Sequence, residues 1–150
     1  MSFAFRLQTL LRLREADRDQ RRADLAKALR AEATLLAQGA QLDQERQETA
    51  ELSRRLASPG EGDVDRLLAS HRYELVLRTR GQQLTAQLTQ VQAEVERRRL
   101  ALVEADRQVR VHEKLRDKRQ ADYKTREAKL AQSQLDEQAV IGFTRREVSP

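Results

Sequence analysis

The chain has 150 residues, with 29 Lys and Arg against 24 Asp and Glu, a formal charge of +5. Charged residues make up 35% of it and aromatics 3%, with no Cys and no Trp. So few aromatic and β-branched residues exclude a β-rich fold and leave little to fill a globular centre. Ala, Leu, Arg, Gln, Glu and Lys dominate instead, the composition of a long helix or coiled coil, and the length suits one domain. Without cysteine there is no disulfide, thiolate nucleophile or Cys-ligated zinc. No run approaches the roughly 18 apolar residues of a membrane span, and Met1 to Arg6 lacks the apolar core of a secretory leader. The expectation is a soluble intracellular protein.

In chain order, the first helix is expected over about residues 3–57. Its 3-4 seam takes in Leu7, Leu11, Leu25, Ala28, Leu35, Leu42 and Leu56, interrupted by Arg14, Arg18, Arg21 and Arg46. Ser58-Pro59-Gly60-Glu61-Gly62-Asp63 concentrates Pro and Gly and marks the one break, a turn over 58–62. Pro59 disfavours helix before it, and Asp63 can cap the helix that follows.

The second helix is expected over about 63–141, with a frayed tail over 142–150. Its seam at 81, 84, 88, 91, 95, 98, 102, 105 and 109 is apolar at seven of nine sites, the spacing that knobs-into-holes packing requires. A turn this short forces the two helices antiparallel. The fold class is therefore all-α: two long helices forming an antiparallel coiled-coil hairpin, treated as a single coiled-coil domain. The second helix is longer and overhangs at the end that carries both termini. Pairing Ala57 with Asp63 sets Gly39 opposite Gly81, as at a point of close approach or bending. It also leaves Asp117 to Ile141 without an intramolecular partner.

Catalytic signatures are missing. The glycines form neither a G-x-x-x-x-G-K-[ST] loop nor G-x-G-x-x-G. His71 and His112 are not opposite each other in this register, so they do not share a metal. The carboxylates alternate with Arg and Lys as helix-face ion pairs do. The expectation is a protein that is not an enzyme, with no catalytic, metal or cofactor residues.

Two patches stand out as protein-binding candidates. Arg110 to Lys129 carries eight basic against four acidic residues, including Lys114, Arg116, Lys118, Arg119 and Arg126. It has too many acids for a DNA-reading basic region, so no specific nucleic acid is expected. At the start, Phe3, Phe5, Leu7, Leu10, Leu11 and Leu13 make an apolar girth wider than one seam. It can staple the open end against Val109, Val111, His112 and Leu115, or enter a hydrophobic ring.

The opening Phe3-Ala4-Phe5-Arg6-Leu7-Gln8-Thr9-Leu10-Leu11-Arg12-Leu13-Arg14-Glu15 resembles the F-x-F-x-L-x-x-L-L-x-x-R-E start of the flagellar export protein FliJ family. Glu113-Lys114-Leu115-Arg116, then Tyr123, then Leu135-Asp136-Glu137 is similar to that family's E-K-L, Y and L-D-E segment. The resemblance implies an antiparallel coiled coil of the bacterial flagellar type III export apparatus, akin to the gamma-subunit stalk of rotary ATPases.

The partners it implies are the flagellar export ATPase ring, the cytoplasmic side of the membrane export gate, and export chaperones. The location it implies is cytoplasmic, peripheral at the inner membrane. Carried onto this chain, the matched positions are Phe3, Phe5, Arg6, Leu7, Leu10 and Leu11, then Lys114, Leu115, Arg116, Tyr123, Leu135, Asp136 and Glu137. Joined with Lys118, Arg119 and Arg126 of the basic patch, the residues expected to bind protein are Phe3, Phe5, Arg6, Leu7, Leu10, Leu11, Lys114, Arg116 and Tyr123. The alternative reading is a homodimeric coiled-coil scaffold or adaptor unrelated to an ATPase.

Overall fold

Gly60 adopts φ +108°, a backbone region open to glycine at little cost, and with Ser58 and Pro59 it ends the first helix. The computed structural model describes residues 3–60 and 63–147, with side chains up to residue 143. Glu61 and Gly62 of the expected turn, and 148–150 of the expected tail, lie outside the described residues. Two helices are present, α1 (Gln8–Leu56) and α2 (Val64–Glu147), and there is no strand among the described residues. Arg54 and Arg55 occupy the last turn of α1, where cations offset the carbonyl end of the helix dipole. Asp63 caps α2 as its sequence position suggests. Its Oδ1 accepts from the Arg66 backbone N–H at 3.1 Å and its carbonyl from Leu67 at 3.0 Å.

Two helix limits differ from expectation. α1 starts at Gln8 rather than at residue 3, because Phe3 and Phe5 reach α2 from a non-helical lead-in. The Gln8 N–H donates to the Phe5 carbonyl at 3.0 Å and opens the first turn. α2 runs through Gly142 to Glu147, so the expected frayed tail is helical up to that point.

The chain falls into two compact units, residues 19–103 and residues 1–18 with 104–150. Within the first, the helices pair antiparallel and the expected α2 seam faces inward. Ala28, Leu77 and Val95 are buried, and Leu84, Leu88 and Val91 are half-buried. Gly39 lies against Leu84, and Gly81 against Leu42. The register is thus offset by about three residues from the one that sets the two glycines face to face. The offset persists nearer the turn, where Ser53 pairs with Ser70. The glycines mark no unusually close approach: a Cβ added at Gly39 would sit 3.5 Å from Leu84 Cδ2, and one at Gly81 3.6 Å from Leu42 Cδ2. Arg98, a charged residue on the seam, donates to the Asp24 backbone carbonyl at 2.6 Å and to Glu94 at 2.6 Å, so its charge is satisfied without leaving the interface.

Within the other unit the two helices are again antiparallel, with Leu11, Ala105 and Val109 buried between them. From Lys124 to Phe143 every residue is exposed. The contacts of the lead-in, Phe5 with Arg119 and Phe3 with Tyr123, place the start of the overhang past Tyr123, later than the expected Asp117.

Candidate protein-binding surface

Phe3 and Phe5 alternate rather than follow helical spacing, and the non-helical lead-in turns both rings toward α2. The Phe3 ring meets Tyr123 with centroids 5.7 Å apart and planes at 49°, a tilted aromatic pair. The Arg119 guanidinium carbon sits 5.9 Å from the Phe5 ring centroid, within cation–π range. Leu11 is fully buried, Leu7 and Leu10 are half-buried, and Arg6 is exposed. The two phenylalanines thus contact Tyr123 and Arg119, further along α2 than the expected Val109 to Leu115. Val111, one of the expected partners, is 54% exposed. Val109 is instead buried in the seam, and the His112 Nδ1–H donates to the Gln108 carbonyl at 2.7 Å.

On α2 the basic candidates divide by role. Arg116 is half-buried and binds Asp117 Oδ1 through both Nε and Nη2 at 3.1 Å, which holds its guanidinium along the helix. Arg119 covers Phe5. Lys114, Lys118 and Arg126 are exposed. Tyr123 is half-buried and donates its hydroxyl to Glu127 Oε1 at 2.5 Å. That bond favours the neutral phenol, and with lesser contributions from burial and from the Glu127 charge it raises the Tyr123 pKa above the ordinary tyrosine value.

The structure brings Phe3 onto Tyr123 and Phe5 onto Arg119, with Leu11 buried and Leu7 and Leu10 half-buried just after them. Sequence reasoning misses Glu127 and Asp117. Glu127 stands one helical turn after Tyr123, a Tyr-x-x-x-Glu spacing that signals such a bond. Asp117 simply adjoins Arg116, which carries no signal.

Among the described residues no cluster of His, Asp and Glu is placed to hold a metal ion, and no helix is long and apolar enough to cross a membrane. What this unit offers chemically is a surface, with aromatic and aliphatic groups held against α2 beside exposed cationic side chains. Comparison with curated proteins and with solved structures gives no match. A family model described as flagellar FliJ protein matches residues 3–148, nearly the whole chain. With the E-K-L, Tyr and L-D-E positions on α2 and the opening F-x-F-x-L segment leading into α1 of an antiparallel pair of long helices, the chain belongs to the flagellar FliJ family of export components.

Proposed function

We propose that this chain is a non-enzymatic stalk that binds the hexameric flagellar export ATPase, promotes its assembly and turnover, and couples it to the export gate and chaperones from the cytoplasmic side. The observation that carries the reading is the contact of Phe3 with Tyr123 and Phe5 with Arg119. It draws both segments that resemble the family into one surface. An element that works inside a ring needs a rigid end with many near-equivalent attractive poses. Exposed cations supply this, because each surface ion pair is worth only about 0–1 kcal/mol and none locks the stalk in place.

Roles divide accordingly. Phe3, Phe5, Leu11, Arg116 and Arg119 shape and stiffen the end, while Lys114, Lys118 and Arg126 face the ring. Leu130, Leu135, Val140, Ile141 and Phe143, each more than half exposed, offer apolar contacts for the gate or chaperones.

The test is binding of the full chain to the assembled ATPase, measured against a Lys114→Glu, Lys118→Glu, Arg126→Glu variant. The expected result is an affinity at least about tenfold weaker, with wild-type binding that falls as salt rises. Equal affinity for the two chains at low salt would remove this surface from the contact.

A further inference from the structure

Within residues 19–103, the two flanks of the α1–α2 seam differ in chemistry at the same level. One sets Gln38, Gln41, Glu45, Arg80, Gln83 and Gln87 around the seam leucines Leu42 and Leu84. The other is an open groove that sets Leu35, Leu36, Ala40 and Leu88 beside Gly39 and Gly81, with Asp43, Arg46 and Arg78 at its charged end. Both flanks of a hairpin that works alone would be expected to look like the first.

The apolar flank continues along α1. Ala26, Leu29, Ala33, Leu36 and Ala40 recur at 3-4 spacing one residue beyond the seam, with Ala at every seventh position. Leu29 is 39% exposed and Leu36 52%, so this second stripe is unpartnered within the chain. Its order is nearly palindromic. Laid antiparallel on a second copy about a point between Ala33 and Leu36, it sets Leu29 opposite Ala40 and Ala33 opposite Leu36. Each large side chain then meets a small one, which lets two helices approach closely.

Charge fits the same arrangement. The stretch 21–30 carries Arg21, Arg22, Lys27 and Arg30 against Asp24, whereas 43–51 carries Asp43, Glu45, Glu48 and Glu51 against Arg46. Antiparallel pairing lays the basic stretch of each copy along the acidic stretch of the other. In this register Asp43 falls opposite Ala26 of the second copy, with Arg22 and Arg30 one turn to either side. Within one chain the three groups that meet in this register hold long, exposed contacts: Asp43 to Arg46 at 3.9 Å, Arg22 to Asp19 at 3.8 Å, and the Arg30 Nε to the Ala26 carbonyl at 3.3 Å. All are open to exchange.

We propose that α1 binds α1 of a second copy of this chain, antiparallel, through the face from Ala26 to Asp43, making a reversible homodimer. The face is about 25 Å long and half apolar, which fits a transient contact rather than an obligate one. It uses only residues 19–103, so ATPase binding and self-association are read out by separate variants.

The experiment is sedimentation equilibrium of the full chain from about 1 to about 300 μM. The wild type is expected to shift from monomer to dimer across that range. Asp43→Arg alone, and the Arg22→Asp, Arg30→Asp double variant alone, each place like charges at both ends of the contact. Each should raise the association midpoint at least about tenfold. Mixed in equal amounts they should dimerise again, because both ends of the mixed pair are then complementary. A wild type that stays monomeric overturns the proposal and leaves the face to another protein's helix. A wild-type dimer indifferent to these changes, or a mixture that is not restored, overturns it equally.

Discussion

The Ser53 hydroxyl lies 2.6 Å from that of Ser70, with both side chains buried at seam positions where a coiled coil ordinarily carries leucine. Ser53 also donates to Glu74 Oε1 at 3.1 Å, so the three groups form a short chain running Ser70 to Ser53 to Glu74. Removing the middle member strands the buried Ser70 hydroxyl, while Glu74 keeps solvent and His71 at 3.5 Å. Ser53→Ala is expected to cost about 1–2 kcal/mol in urea denaturation and Ser70→Ala less than about 1 kcal/mol, since Ser53 then keeps Glu74. Ser70→Ala as costly as Ser53→Ala would contradict this hydrogen-bond order.

The glycines on the seam make an opposite prediction. A Cβ at Gly39 or Gly81 meets only ordinary van der Waals contact, and both residues are helical. Gly39→Ala and Gly81→Ala should each stabilise the chain by about 0.5–1 kcal/mol, through helix propensity and a less flexible unfolded state. Gly60→Ala should destabilise by about 1 kcal/mol, because φ of +108° strains any side chain. Thermal or urea unfolding of the three variants checks the signs.

Tyr123 supplies a spectroscopic handle on the stapled end. Its folded pKa is raised by the hydrogen bond to Glu127, so the associated stability is present below the unfolded tyrosine value and lost as pH rises through the folded one. Glu127→Gln removes the carboxylate and should move the Tyr123 ionisation to lower pH in an absorbance titration. An unchanged titration would mean that the bond does not form in solution.

At Glu94 the sign reverses. The hydrogen bond from Arg98 chiefly lowers its carboxyl pKa, opposed by burial and helped by Arg97, which also pairs with it. A depressed folded pKa contributes stability above the unfolded carboxylate value, lost as pH falls through the folded one. Glu94→Gln should therefore flatten the pH dependence of stability below about pH 4.5. It should also loosen the Arg98 bond to the Asp24 carbonyl, visible as faster amide exchange around Ala28.

The hairpin and the α2 seam are legible in the sequence, because 3-4 spacing from 81 to 109 persists whatever the helix packs against. Asp63 is legible for a similar reason: a cap depends on its own neighbours. The register is less so, since three residues of offset depend on the turn and on polar seam contacts such as Ser53 with Ser70. The lead-in at Phe3 and Phe5 is misread as helix because its leucines continue a helical pattern while its phenylalanines alternate. The sequence alone nominates residues for the candidate site but does not separate their places in the structure. Arg116 and Lys118 read alike until Asp117 is seen to hold one and solvent the other.

The central claim is that the stapled end, with its exposed cations, acts on the export ATPase. The most direct measurement is ATP turnover by the assembled ring as the full chain is titrated in, beside the Lys114→Glu, Lys118→Glu, Arg126→Glu variant with circular dichroism matched to the wild type. The account predicts that the wild type stimulates turnover and that the variant needs at least about tenfold more protein for the same effect. No stimulation by the wild type, or the same stimulation by both chains, would contradict it.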